Sequence, residues 1–187
     1  MLARLEPASS LLLVVDVQEK LAAAVPKDAV DRLVQNACIL LEAARAVGAR
    51  VVATEQYPKG LGPTLPAIAE KLAALGVAPI PKLDFSALDD GRVALAVVAP
   101  ARPRAVVVVG MEAHVCVFQT ARDLVARGFA TYVVDDAVAS RREENRLAGL
   151  ALAERAGAVR TVAEAVAFDW VRRAEGPIFK EVSKLVR

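Results

Sequence analysis

Cys116 follows a run of four valines, Val106-Val107-Val108-Val109, that breaks at Gly110 and continues as Met111-Glu112-Ala113-His114-Val115-Cys116-Val117. A parallel strand buried on both faces reads as an unbroken β-branched run, and open α/β sheets form their crevices at the carboxyl ends of such strands. A thiol at that rim, where a helix begins, has unpaired N–H groups nearby that favour thiolate over thiol and can hold an oxyanion. Acyl transfer needs both. The segment equally suits a small buried residue at a strand-helix junction. Asp16 closes a second apolar run, Leu11-Leu12-Leu13-Val14-Val15. A partly desolvated carboxylate there could take the thiol proton and return it to a leaving amine, or serve as a cap or loop anchor. Lys82 follows Pro79-Ile80-Pro81; its ammonium at a third strand end would stabilise a thiolate and keep Asp16 ionised, or face solvent.

His114 is the only histidine and lies two residues before Cys116. A residue so close on a tight turn is poorly aimed at the thiol, so His114 reads as lining the pocket. One histidine also argues against catalytic zinc, whose sites usually use two or three. Cys38, inside an amphipathic stretch, reads as inert packing. The stretch Thr54-Glu55-Gln56-Tyr57-Pro58-Lys59-Gly60-Leu61-Gly62-Pro63-Thr64 reads as an ordered functional loop, with Gln56 and Tyr57 offering hydrogen bonds.

Strand-length apolar runs at Leu11–Val17, Arg50–Thr54, Ala78–Pro81, Arg104–Val109, Ala130–Val134 and Ala158–Val162 position these groups. Helical stretches separate most of them, the pattern of an alternating β/α chain. The first helix is expected from about Asp28 to Val47, with Leu33, Ala37, Leu40, Leu41 and Ala44 on one face and Gly48 as its stop. Right-handed crossovers then predict a three-layer α/β/α, Rossmann-like fold: a six-stranded, mostly parallel sheet ordered 3-2-1-4-5-6. Residues 1–187 read as one domain. A terminal helix over about 177–187, with Ile178, Val182 and Leu185 as its apolar stripe, is expected to dock on the body or on a neighbouring subunit.

Composition narrows the partners. The chain is 56% hydrophobic and only 4% aromatic, so an aliphatic core is expected and disorder is not. Twenty-four basic against 22 acidic residues leave a net charge of +2, too balanced for a nucleic-acid surface. Two cysteines form no disulfide framework, no signal-type n-region is read at the start, and no apolar stretch reaches membrane-spanning length. A cytoplasmic protein with a small-molecule substrate and no membrane or nucleic-acid partner is expected. No dinucleotide fingerprint or P-loop is present, so no cofactor is expected.

With Asp16, Lys82 and Cys116 in that chain order, the sequence resembles the isochorismatase-like cysteine hydrolases, which include nicotinamidases and N-carbamoylsarcosine amidohydrolases. It is most similar to the branch of isochorismatase domain-containing proteins. The Thr54–Thr64 and Gly110–Val117 motifs, Gln119-Thr120-Ala121 and the Phe179-Lys180 tail carry that likeness. The resemblance implies a triad with Cys116 as nucleophile, Asp16 as general base and acid, and Lys82 as the cation that stabilises the thiolate. It also implies a cis peptide at Met111-Glu112 that turns the Glu112 and Cys116 amides toward the oxyanion. Gln56, Tyr57, Phe85 and His114 are expected to line the pocket, and a homo-oligomer is expected.

Two departures narrow the expectation. Nicotinamidases carry an Asp/His metal cluster after the second strand, where this chain has no histidine, so neither metal nor nicotinamide is expected. True isochorismatases lack the nucleophilic cysteine. Leu83 stands where the family often has threonine. The expected activity is metal-independent hydrolysis of a small amide or related carbonyl compound through a Cys116 thioester. The competing expectation is a non-catalytic oligomeric scaffold or ligand-binding protein that keeps the fold.

Overall fold

The computed structural model describes residues 4–187. Strands β1 (Ser10–Val15), β2 (Arg50–Gln56), β3 (Ile80–Lys82), β4 (Ala105–Met111), β5 (Ala130–Ala139) and β6 (Val159–Thr161) form one sheet ordered β3-β2-β1-β4-β5-β6. Every neighbouring pair in it is parallel. The expected order holds, and the sheet is parallel throughout. In β1 and β4 every residue is buried, which is why they read as unbroken aliphatic runs.

Alternate side chains of these two strands feed two cores. Leu12, Val14, Val107 and Val109 pack beneath α2 (Lys27–Val47), α4 (Pro66–Ala74), α8 (Ala163–Val171) and α9 (Gly176–Leu185). Leu11, Leu13, Val15, Val106 and Val108 pack beneath α5 (Gly91–Val98), α6 (Phe118–Ala126) and α7 (Glu143–Arg155). Each fully buried side chain of this kind contributes about 1.5–3 kcal/mol relative to exposure. Helix α9 buries Val182 in the first of these cores, while Ile178 of the same stripe stays exposed. No helix among the described residues is long and apolar enough to cross a membrane.

Several boundaries move for identifiable reasons. Strand β1 ends at Val15 rather than Val17 because Asp16 adopts φ 53°, out of the extended region. The chain then makes a short helix α1 (Glu19–Ala22) before α2, which begins at Lys27, and a second short helix α3 (Pro58–Leu61) after β2. Lys82 lies inside β3, where Ala78–Pro81 had been expected. Strand β5 runs five residues past Val134, through the charged pair Asp135-Asp136. Asp135 is neutralised by Arg146 and Arg160, and Asp136 Oδ1 accepts the Ala163 N–H at 2.9 Å. Partners supplied by α7, β6 and α8 make those carboxylates tolerable where the β4–β5 register shifts.

Candidate active site

The left-handed turn at Asp16 sends its side chain under the carboxyl edge of the sheet, where it is fully buried. Lys82 reaches it from β3, with Nζ 2.7 Å from Asp16 Oδ2. The same ammonium donates to Gln56 Oε1 at 2.6 Å and to the carbonyls of Asp84 and Phe85 at 3.0 and 3.3 Å. Thr54, inside β2, donates its hydroxyl to Asp16 Oδ1 at 2.7 Å. A buried ion pair persists only when its remaining lone pairs and protons are satisfied, and here they are.

Gln56, expected in the pocket lining, is only 7% exposed. Its Oε1 holds Lys82 and its Nε2 donates to the Leu83 carbonyl at 2.6 Å, so both ends of the amide are spent positioning the lysine. Its backbone is gripped in turn by Gln18, which accepts from Gln56 N at 2.8 Å and donates to Gln56 O at 3.0 Å and Gly62 O at 2.6 Å. Gln18 thereby ties the segment after β1 to the loop after β2.

Cys116 arrives from β4. Gly110 makes the approach possible, since a Cβ there would sit 2.0 Å from the Val15 carbonyl oxygen, and its φ of 132° is one that side-chain-bearing residues avoid. The Met111-Glu112 peptide is cis. Residues Ala113–Val117 form a single π-helical turn that leads into α6, so Cys116 sits within that turn. Ser140 at the end of β5 braces it, accepting the Ala113 N–H at 3.1 Å. His114 is also engaged there: Nδ1 lies 3.1 Å from Ser140 Oγ and Nε2 lies 3.4 Å from Asn145 Nδ2. Behind the turn, α7 presents Gly149, where a Cβ would come within 2.5 Å of the Ala113 carbonyl.

The Cys116 thiol, 5% exposed, hydrogen-bonds the Asp16 carboxylate, and the Glu112 N–H is directed at the sulfur. Burial, then the Asp16 charge, push the thiol up to about 12, against the opposing pull of Lys82 and the Glu112 amide. The expectation that a helix start would favour the thiolate is thus reversed. The turn's donors are outweighed by desolvation and an adjacent anion. The resting sulfur is therefore a thiol.

Of the remaining expected residues, Tyr57 and Phe85 are about half exposed, and Leu83 more so. Tyr57, Leu83 and Asp84, with Lys82, line a cavity of about 470 Å³. Thr54, Gln18, Ser140 and Gly149 escaped the sequence reading. Thr54 alone left a signal, as the one hydroxyl at the end of an apolar strand run. Among the described residues no group of His, Cys, Asp and Glu is arranged to hold a metal ion.

A family model described as an isochorismatase domain matches residues 10–164, from β1 to the start of α8. The chain belongs to the isochorismatase family. Isochorismatase domain-containing protein 2 of Bos taurus is 39% identical over 188 residues, spanning all of this chain and 87% of the relative. The solved MAR1 ribonuclease of Caenorhabditis elegans superposes with a TM-score of 0.86 at 38% identity, covering 98% of this chain and 92% of that one. YcaC of Escherichia coli, described as an octameric hydrolase of unknown specificity, shares the fold with a TM-score of 0.87 at 23% identity, covering 97% of this chain and 88% of that one. Members of the isochorismatase-like family are hydrolases.

Proposed function

We propose that this isochorismatase-family chain is a cysteine hydrolase of small amides or related carbonyl compounds. The observation that carries the reading is the contact of the Cys116 thiol with a carboxylate that Lys82 holds at 2.7 Å. Asp16 takes the thiol proton as sulfur adds to the substrate carbonyl, giving a tetrahedral oxyanion held by the Glu112 and Cys116 N–H groups. The C–N bond then breaks, Asp16 returns the proton to the leaving amine, and a thioester remains. Asp16 next deprotonates water, which adds to the thioester; collapse releases the acid and restores the thiol. Lys82 offsets the negative charge that builds on sulfur and carboxylate. The chain supplies nucleophile, base and oxyanion donors, so the course calls for no metal. One oxyanion donor is typically worth about 10²–10³ in rate.

The test is intact-protein mass spectrometry during turnover of an amide panel. An acyl adduct on Cys116, formed with release of one equivalent of amine, absent in Cys116→Ser and forming far more slowly in Asp16→Asn, is expected. Full amide turnover by Cys116→Ser sinks the nucleophile assignment. No adduct with any amide, and no labelling of Cys116 by small alkylating agents, favours the scaffold reading. Because one relative is named as a ribonuclease, RNA is run beside the amides. RNA cleavage that survives in Cys116→Ser places that activity elsewhere.

A further inference from the structure

Helix α7 is apolar on two sides. Its inner side, with Gly149, Leu150 and Ala153, is buried in the second core and against the turn that carries Cys116. Its outer side carries Glu144, Leu147, Ala148, Ala151, Leu152 and Arg155, all exposed and spaced so that they share one face of the helix. Leu147 and Leu152 are 45% and 42% exposed. Single exposed leucines need no explanation, but the order on this face calls for one. Read from either end, it gives a charge, a leucine, two alanines, a leucine and a charge, and the two end charges are opposite. Arg146, on the inner side, is held by Glu143 and Asp135, whereas Glu144 and Arg155 have no ion-pair partner among the described residues.

We propose that this face of α7 is where two copies of the chain meet, antiparallel across a two-fold axis that passes between Ala148 and Ala151. An isologous contact needs a patch that complements itself, and this one does. The axis sets Leu147 on Leu152 of the partner subunit and Ala148 on Ala151 of the partner subunit, and the small alanines at the centre let the two helices approach closely. It also sets Glu144 on Arg155 of the partner subunit, once at each end. A parallel pairing of the same faces would set Glu144 on its own copy, like charge on like, and is disfavoured. Stable interfaces bury about 800 Å² on each partner, so α7 forms the centre of the contact and α6, packed beside it, the flank. The contact lies behind the active-site turn, because Gly149 seats the inner side of the same helix on the Ala113 carbonyl. The inference does not depend on the hydrolase reading.

Sedimentation velocity and native mass spectrometry of the whole chain, across micromolar concentrations, provide the test. The wild type is expected to self-associate, and Leu152→Glu to raise the dissociation constant of this contact about 100-fold or more, by placing two charges in its apolar centre. Glu144→Arg and Arg155→Glu each turn both end pairs from attractive to repulsive, and each is expected to weaken association about tenfold or more at low salt. Two samples are expected to recover it: the Glu144→Arg/Arg155→Glu double variant, and an equimolar mixture of the two single variants. In the mixture every end pair is again one acid and one base, so native mass spectrometry should show heterodimers in preference to either homodimer. Recovery by mixing also shows that each single variant is folded. A wild type that stays monomeric overturns the proposal and leaves the face to a different partner. Leu152→Glu or both charge variants with wild-type assembly overturn it too, because the copies then meet elsewhere. Single charge variants that keep their circular dichroism but recover neither on mixing nor in the double variant overturn the antiparallel pairing.

Discussion

Thr54 and Lys82 divide the Asp16 carboxylate between them, the hydroxyl on Oδ1 and the ammonium on Oδ2, each at 2.7 Å. With both oxygens pinned, the carboxylate has one orientation, and the Cys116 thiol meets it there. Asp16 raises the thiol by its charge and is also the group positioned to accept its proton. Asp16→Asn removes one of the causes of the raised value. Its thiol is therefore expected to ionise at lower pH than the wild type's value of about 12, as read by thiolate absorbance. Turnover is nevertheless expected to fall about 10²–10⁴-fold, the usual worth of a positioned acid-base. A thiol that ionises more readily in a less active protein separates proton transfer from simple thiolate supply.

Removing one member of a buried pair strands the other charge. Lys82→Met is expected to destabilise the protein by roughly 3–5 kcal/mol, about 10 °C in melting temperature for a domain of this size. The Lys82→Met/Asp16→Asn double variant is expected to recover much of that loss, because no isolated charge remains. Calorimetry of the two variants decides it, and equal melting temperatures would show that the pair is not coupled.

Gly149→Ala reverses the usual rule for helices. Alanine normally stabilises a helix interior by about 1 kcal/mol over glycine. Here the added methyl meets the Ala113 carbonyl within 2.5 Å and must push the π-turn off α7. Helix content by circular dichroism is expected to be kept, while Cys116 reactivity and amide turnover fall on the order of 100-fold, as for a reacting group displaced by about 1 Å. Unaltered turnover would show that the turn adapts without moving the sulfur.

Much of this arrangement was legible because it depends on burial alone. Strands covered on both faces must be continuously aliphatic, so β1 and β4 could be found, and the sheet order placed Asp16, Lys82 and Cys116 along one edge. What escaped depends on which groups become neighbours after packing. Gln56 reads as a free amide in the sequence and becomes a lysine holder only because β3 lies beside β2. The Cys116 thiol looked set to ionise early at a helix start, until burial and an aspartate a hundred residues away reversed the sign. The extension of β5 through Asp135-Asp136 required arginines that no local window contains.

Asp90 caps α5, accepting the Arg92 N–H at 2.8 Å, and its Arg92 side-chain partner is the main cause that lowers its carboxyl to about 2. A folded-state value below the unfolded one stabilises at pH above the ordinary carboxylate range, and that contribution is lost as pH falls through about 2. Asp90→Ala is expected to cost about 1 kcal/mol at neutral pH and to show a shallower loss of its urea midpoint between pH 4 and pH 2. Parallel pH curves for the two proteins would rule out the cap as the titrating contribution.

Strand β1 pairs with β2 on one side and with β4 on the other, at the middle of the sheet. During synthesis the carboxylate and its lysine belong to the half of the chain that emerges first, and the sulfur belongs to the half that emerges last. The early half presents an open strand edge at β1, and only docking of β4 along that edge, from Ser10 opposite Ala105 to Val15 opposite Gly110, brings the thiol to its base. Closing the sheet and completing the site are therefore one event. A partly folded chain can hold the proton acceptor ready, but has nothing with which to attack.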